Sequence, residues 1–215
     1  ASLDFSLTPK LTLSTGLRLT YFNLLGPYTE ALYDENFNFD QNRTYAAGES
    51  VVNYAYPEPR LGLNLKLGEY SSVKASYARM FQYIQNIYNT NTPLPTSRWK
   101  ISDRYVLPQQ NDTYGIGFYQ DFESQGIAFS AETYYRNTTN NLTYKPGANF
   151  FLSRNIETEV VQADGRSYGI EIGLNKSTGR FNGFLNYTWA RSLLQTNEAA
   201  PEDRINNNDW YASDF

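Results

Sequence analysis

Apolar and polar residues alternate with a period of two along most of the chain, the pattern of a strand with one apolar and one polar face. From Leu11, the residues Leu11, Leu13, Leu17, Leu19 and Tyr21 share one face, opposite Lys10, Thr12, Ser14, Gly16, Arg18 and Thr20. Leu61, Leu63, Leu65 and Leu67 then oppose Arg60, Gly62, Asn64 and Lys66. Val73, Ala75, Tyr77 and Phe81 oppose Ser72, Lys74, Ser76 and Gln82, with Arg79 interrupting the apolar side. The pattern recurs at Tyr114, Ile116 and Phe118 (against Gly115, Gly117 and Tyr119) and at Ile127, Phe129, Ala131 and Tyr135 (against Ser130, Glu132, Tyr134 and Arg136). It recurs again at Tyr168, Ile170, Ile172 and Leu174 and at Phe181, Leu185, Tyr187 and Trp189. Seven strands follow, with an eighth stub over residues 1–8.

A soluble β-sandwich also wets one face, so alternation alone does not choose between water and lipid. Run length and connection length do. The runs extend over about 10 to 15 residues, where soluble strands cluster near 5 to 6 and a tilted membrane strand needs about 9 to 11. Short turns at about 68–71, 123–126 and 177–179 alternate with long polar segments at about 24–56, 87–110, 141–160 and 193–215, the asymmetry of outer-membrane barrels. Tyr21, Phe22, Tyr77, Phe81, Tyr83, Tyr134, Tyr135, Tyr187 and Trp189 gather toward the long-loop ends, as expected of an interfacial girdle. The expected fold is all-β: an antiparallel up-and-down transmembrane barrel, of which this chain supplies about seven strands.

Composition narrows the chemistry. The 215 residues contain no cysteine and no histidine, which removes disulfides, thiolate and imidazole metal sites, and His-dependent catalysis. A net charge of −4 gives no footprint for nucleic acid. Tyr (19) and Phe (13) are abundant while the mean hydropathy is −0.58, a combination that a barrel produces by hiding its apolar positions among polar ones. No run of about 18 apolar residues is present to make a membrane helix.

Several clusters invite a chemical reading. Asp34, Asn36, Asn38 and Asp40 have the oxygen spacing of some calcium loops, but the glycine and terminal glutamate of that motif are missing, and a solvated acidic loop is expected. Glu132 and Glu171 lie on polar faces and resemble a glycosidase pair, yet lumen-lining charge accounts for them together with Arg18, Arg60, Lys74 and Arg136. No catalytic residue, metal site or cofactor is expected. The segment Arg98, Trp99, Lys100, Asp103, Arg104, Tyr105 mixes cations with aromatics, and Arg98, Trp99, Arg104 and Tyr105 are the expected substrate contacts at the outer mouth.

Specific runs also resemble a known family. Glu58-Pro59-Arg60-Leu61-Gly62-Leu63-Asn64-Leu65 followed by Val73-Lys74-Ala75-Ser76-Tyr77-Ala78-Arg79 is similar to a descending and returning strand pair in Bacteroidetes-type TonB-dependent receptors. Pro93-Leu94-Pro95-Thr96-Ser97-Arg98-Trp99, Glu132-Thr133-Tyr134-Tyr135-Arg136-Asn137, Gly165-Arg166-Ser167-Tyr168-Gly169-Ile170-Glu171 and Gly183-Phe184-Leu185-Asn186-Tyr187-Thr188-Trp189-Ala190-Arg191 resemble further barrel segments of that family, in the same order.

The resemblance implies outer-membrane uptake of a scarce nutrient (siderophore, cobalamin, glycan or peptide) with no reaction performed. It implies lipid around the wall, coupling to the TonB complex through a plug, and room for a surface lipoprotein partner. On this expectation residues 1–215 are a central slice of the barrel, without the plug or the C-terminal strands. Two alternatives stay open: a small closed barrel acting as adhesin or anchor and ending at Phe215, and a soluble glycan-binding β-sandwich.

Overall fold

The computed structural model describes residues 2–34, 37–88, 97–148 and 155–213. Among them every extended element is a strand and the only helical pieces are 3-10 turns of three residues. In chain order the strands are β1 (Ser2–Thr8), β2 (Leu11–Leu25), β3 (Tyr28–Tyr33), β4 (Phe39–Tyr45), β5 (Ser50–Lys66), β6 (Ser71–Gln82), β7 (Ile84–Tyr88), β8 (Ser97–Ile101), β9 (Gln109–Phe122), β10 (Ile127–Tyr144), β11 (Val160–Lys176), β12 (Gly183–Gln195) and β13 (Tyr211–Ala212). One antiparallel sheet has the spatial order β1-β2-β5-β6-β9-β10-β11-β12-β13 and is not closed, while β3-β4 and β7-β8 are separate hairpins. With those hairpins set aside the sheet is a simple meander. Tight turns join it at one end, and at the other the chain makes long excursions between β2 and β5, β6 and β9, β10 and β11, and after β12.

The register turns sequence alternation into rungs that run across the strands. One rung runs Phe5, Leu13, Leu63, Ala75, Ile116, Thr133, Ile170, Trp189 across eight strands. The next toward the long loops ends in four tyrosines and a cation: Tyr77, Tyr114, Tyr135, Tyr168, Arg191. The rung beyond reads Arg79, Asp112, Asn137, Arg166. This face therefore passes from aliphatic to tyrosine to charge, the depth profile of a wall entering lipid. Its large apolar side chains are exposed, Leu19 at 76% and Ile116 at 59%, as lipid-facing residues are when lipid is not present to cover them.

The opposite face carries small and polar residues. One rung is Asp4, Ser14, Gly62, Ser76, Gly115, Tyr134, Gly169, Ala190, and its neighbour is Ser6, Thr12, Asn64, Lys74, Gly117, Glu132, Glu171, Thr188. The Tyr134 ring lies over Gly169 and the Tyr119 ring over Gly117, so closely that a Cβ at either glycine would stand 2.9 Å or less from a neighbouring atom.

The expected alternation and turn asymmetry hold, and three expectations are corrected. Phe22, Tyr83 and Tyr134 do not face lipid with the girdle. Phe22 and Tyr134 have inner-face parity, and Tyr83 stacks on Phe22 at 5.0 Å and hydrogen-bonds the inner-face Thr20. Phe181 precedes β12. The stub at residues 1–8 is a paired strand, and the long loops contain two hairpins of their own. Pro93–Thr96 and Phe215, read above as a family loop and a chain end, lie outside the described residues, as does Asn36.

Candidate functional site

Among the described residues, the buried apolar side chains sit at the long-loop end. Ile87, Ile156 and Val160 form a core with Leu142 and Tyr144 packed against it, and Val106 is 1% exposed. A wall with lipid on one side and a wet lumen on the other has no interior of its own, so protein-protein burial collects where the loops meet one another.

Polar groups fasten the same cluster. Lys100 on β8 reaches Asp103 at 2.7 Å and Glu157 at 2.9 Å, with all three side chains largely buried. Burial acts to lower the Lys100 pKa, but the two carboxylates outweigh it and hold the ammonium above its ordinary value. The Tyr33 hydroxyl donates to Glu157 at 3.0 Å, and burial first, then the Glu157 charge, pushes that phenol up. Tyr33 stacks on Phe37, and Tyr105 packs edge-on to both. Asp103 accepts from the backbone N–H groups of Tyr105 and Val106, each at 2.9 Å, which folds this segment back on itself.

The four expected substrate contacts separate on this frame. Arg104 pairs with the buried Glu30 at 3.3 Å, and Glu30 also accepts from Tyr45 at 2.8 Å. Tyr105 is held by Tyr33, whose backbone N–H donates to its hydroxyl at 3.1 Å. Trp99 is 68% exposed on β8. Arg98 pairs with Ile87 through the β7-β8 register, and its side chain lies outside the described residues. Asp34, from the calcium-like spacing, closes a local turn by accepting from the Asn38 backbone at 2.8 Å.

A cavity of about 780 Å³ lies between the loop-end inner wall and the segments 141–148 and 205–213. Asn111, Arg136, Thr138, Ser167 and Ser192 line it from the wall, and Tyr211 closes over it. Among the described residues no carboxylate pairs with Arg136, which reaches only Thr113 at 3.3 Å. Amides and hydroxyls supply both donors and acceptors here, and Arg136 adds one positive charge. Among the described side chains, neither Trp99, Arg104 nor Tyr105 lines this cavity. The signal for its wall was present in the sequence as the inward parity of β10 and β11 near their loop ends, but which loops cover that wall is a long-range fact.

A one-face apolar meander with tight turns at one end and long loops at the other is the wall of an outer-membrane β-barrel. The chain belongs to the TonB-dependent receptor family: the family model described as "TonB dependent receptor-like, beta-barrel" matches residues 1–215. A search of curated proteins finds no match. The protein is thus an outer-membrane β-barrel of a family of TonB-dependent transporters, its tight turns periplasmic and its long loops extracellular.

Proposed function

We propose that this chain is wall and outer loops of a Bacteroidetes-type receptor that imports a scarce nutrient, captured in the Arg136 cavity. The observation that carries the reading is the position of that cavity: on the inner face, under the extracellular loops, lined by amides and hydroxyls and by Arg136, which pairs with no carboxylate among the described residues. A ligand entering from outside meets it before the small-residue wall below. Arg98, Trp99, Arg104 and Tyr105 belong to the surrounding rim in this reading, and a surface lipoprotein would approach over the same loops. The unclosed sheet supports a segment of a larger barrel, since transporter barrels of this kind have about 22 strands. No reaction is involved.

The test is growth of a deletion strain with ferric siderophores, cobalamin, oligosaccharides or peptides each supplied at limiting concentration. A defect on one of these, restored by the wild-type receptor and reduced about tenfold in uptake by Arg136→Gln, is the expected outcome. Growth equal to the parent strain on every nutrient class would sink the reading.

A further inference from the structure

The outward face of β11 and β12 carries two guanidinium groups where the apolar band ends. On β2 that band spans Leu11 to Tyr21, about 34 Å along the strand and about 26 Å of height at a tilt near 40°, close to the ~25 Å apolar belt of outer-membrane barrels. Arg191 stands opposite Tyr168 in the tyrosine rung, and Arg166 stands one rung further out, about 5 Å higher. Both are at headgroup depth on the lipid side, not in the lumen.

Arg79, on the same outer rung as Arg166, is neutralised by Asp112 at 2.8 Å. Arg166 and Arg191 have no such partner among the described residues. Asp164, the next outward position on β11, accepts from Asn197 at 3.2 Å instead. The Arg166 guanidinium is fixed against the Trp210 ring, 3.5 Å from its centroid, and its Nε is buried without an acceptor. Below the two cations the Tyr168 and Trp189 rings lie 6.0 Å apart, above the aliphatic side chains of Ile170 and Ile172.

We propose that Arg166 and Arg191 bind the phosphorylated headgroup of an outer-leaflet glycolipid, whose acyl chains run down over Trp189, Ile170 and Ile172. A guanidinium matches phosphate oxygens in a planar fork, and this pair is preorganised by Trp210 on one side and the strand register on the other. A free anion would gain the charge contact without the apolar surface beneath it, which is why the lipid is the occupant the site fits.

The experiment is native mass spectrometry of the full-length receptor in detergent, titrated with diphosphoryl lipid A and with the same lipid stripped of phosphate. At about fivefold per cation near a membrane surface, Arg166→Gln/Arg191→Gln should weaken the diphosphoryl adduct about 25-fold, and the phosphate-free lipid should bind the wild type comparably weakly. Arg166→Lys/Arg191→Lys, which keeps the charge and loses the fork, should fall between them. Equal binding by the wild type and the glutamine pair, or equal binding of the two lipids, overturns the proposal. Displacement of the lipid by millimolar inorganic phosphate overturns the lipid assignment in favour of a soluble anion. Migration of unheated samples on a gel checks the fold of each variant. Should the glutamine pair not fold, the phosphate dependence of the wild type decides alone. Nutrient uptake is not read in any arm, so failure here leaves the transport reading untouched.

Discussion

Single side chains in this protein answer to three different surroundings: lipid, lumen and loop cluster. Lys100 is the clearest case in the loops, because it alone among the described residues bridges two buried carboxylates. Replacing it by Met should cost the cluster about 3–5 kcal/mol, since Asp103 and Glu157 then face one another without a cation. Faster amide exchange over residues 97–108 and 155–158, with the wall strands unchanged, is the readout. The pH dependence follows from the raised Lys100 pKa: the stabilisation is complete below the ordinary 10.5 and is lost as pH climbs through the higher folded value. Exchange protection should therefore hold from neutral to mildly alkaline pH and fall only beyond. On the wall, Gly169 has the Tyr134 ring above it and the Trp189 carbonyl within 2.7 Å of where a Cβ would sit. Gly169→Ala should lower stability by about 1–3 kcal/mol through overpacking, seen as a lower temperature for loss of compact gel migration. Tyr134 also shows where sequence reading falters. A tyrosine in a strand suits a membrane interface or a glycine-backed lumen equally well; its parity with Glu132 and Arg136 points it inward, and the register with Gly115 and Gly169 shows the wall it packs on.

Among the elements, β5 breaks a rule and shows how it is accommodated. Pro57 and Pro59 lie within an interior strand, where a missing N–H ordinarily rules proline out. They stand opposite Leu19 and Leu17 of β2. Having no N–H to exchange, they take the non-hydrogen-bonded positions of that pair, so the lost donor faces β6. There the β5-β6 ladder has already ended, at Arg60 opposite Ala78. The Glu58 carboxylate fills the gap, accepting from the Phe81 backbone at 3.1 Å and the Thr20 hydroxyl at 3.2 Å. Glu58→Ala should cost about 1–3 kcal/mol by orphaning the Phe81 N–H, and Glu58→Gln, which keeps an acceptor, distinctly less, in urea unfolding from lipid vesicles. The long strands were legible because their period of two persists over many residues. The β3-β4 hairpin was not: Tyr28-Thr29-Glu30-Ala31-Leu32-Tyr33 is short, and Glu30 and Ala31, successive residues on opposite faces, are both buried, so no polar-apolar alternation marks it.

For the molecule as a whole, the girdle descends obliquely across the sheet. It stands at Tyr21 on β2 and, by register, three rungs lower at Tyr77, Tyr114, Tyr135 and Tyr168, then lower again at Trp189. Hydrogen-bonded rungs are perpendicular to the strands, so a level membrane cuts them at a slant when strands tilt, as barrel strands do by about 35–45°. The descent is evidence of tilt that no single strand could give, and it lay outside the reach of sequence because register between strands is not written in either one. It sets a depth for every outward residue. Phe118→Arg, on the outward face two rungs below the girdle at Tyr114, should destabilise insertion by about 2–4 kcal/mol, whereas Ser76→Arg on the lumen side should change it by less than about 1 kcal/mol. Folding into vesicles followed by urea titration compares the two.

The small residues of the inner wall have a dynamic consequence. Gly62, Gly115, Ser14, Ser76 and Ala190 have few or no rotamers to change, so a solute sliding past them meets a surface of low corrugation. On the proposed route friction along that height is small, and residence time is set above it, where the amides and hydroxyls around Arg136 can be gripped and must be let go.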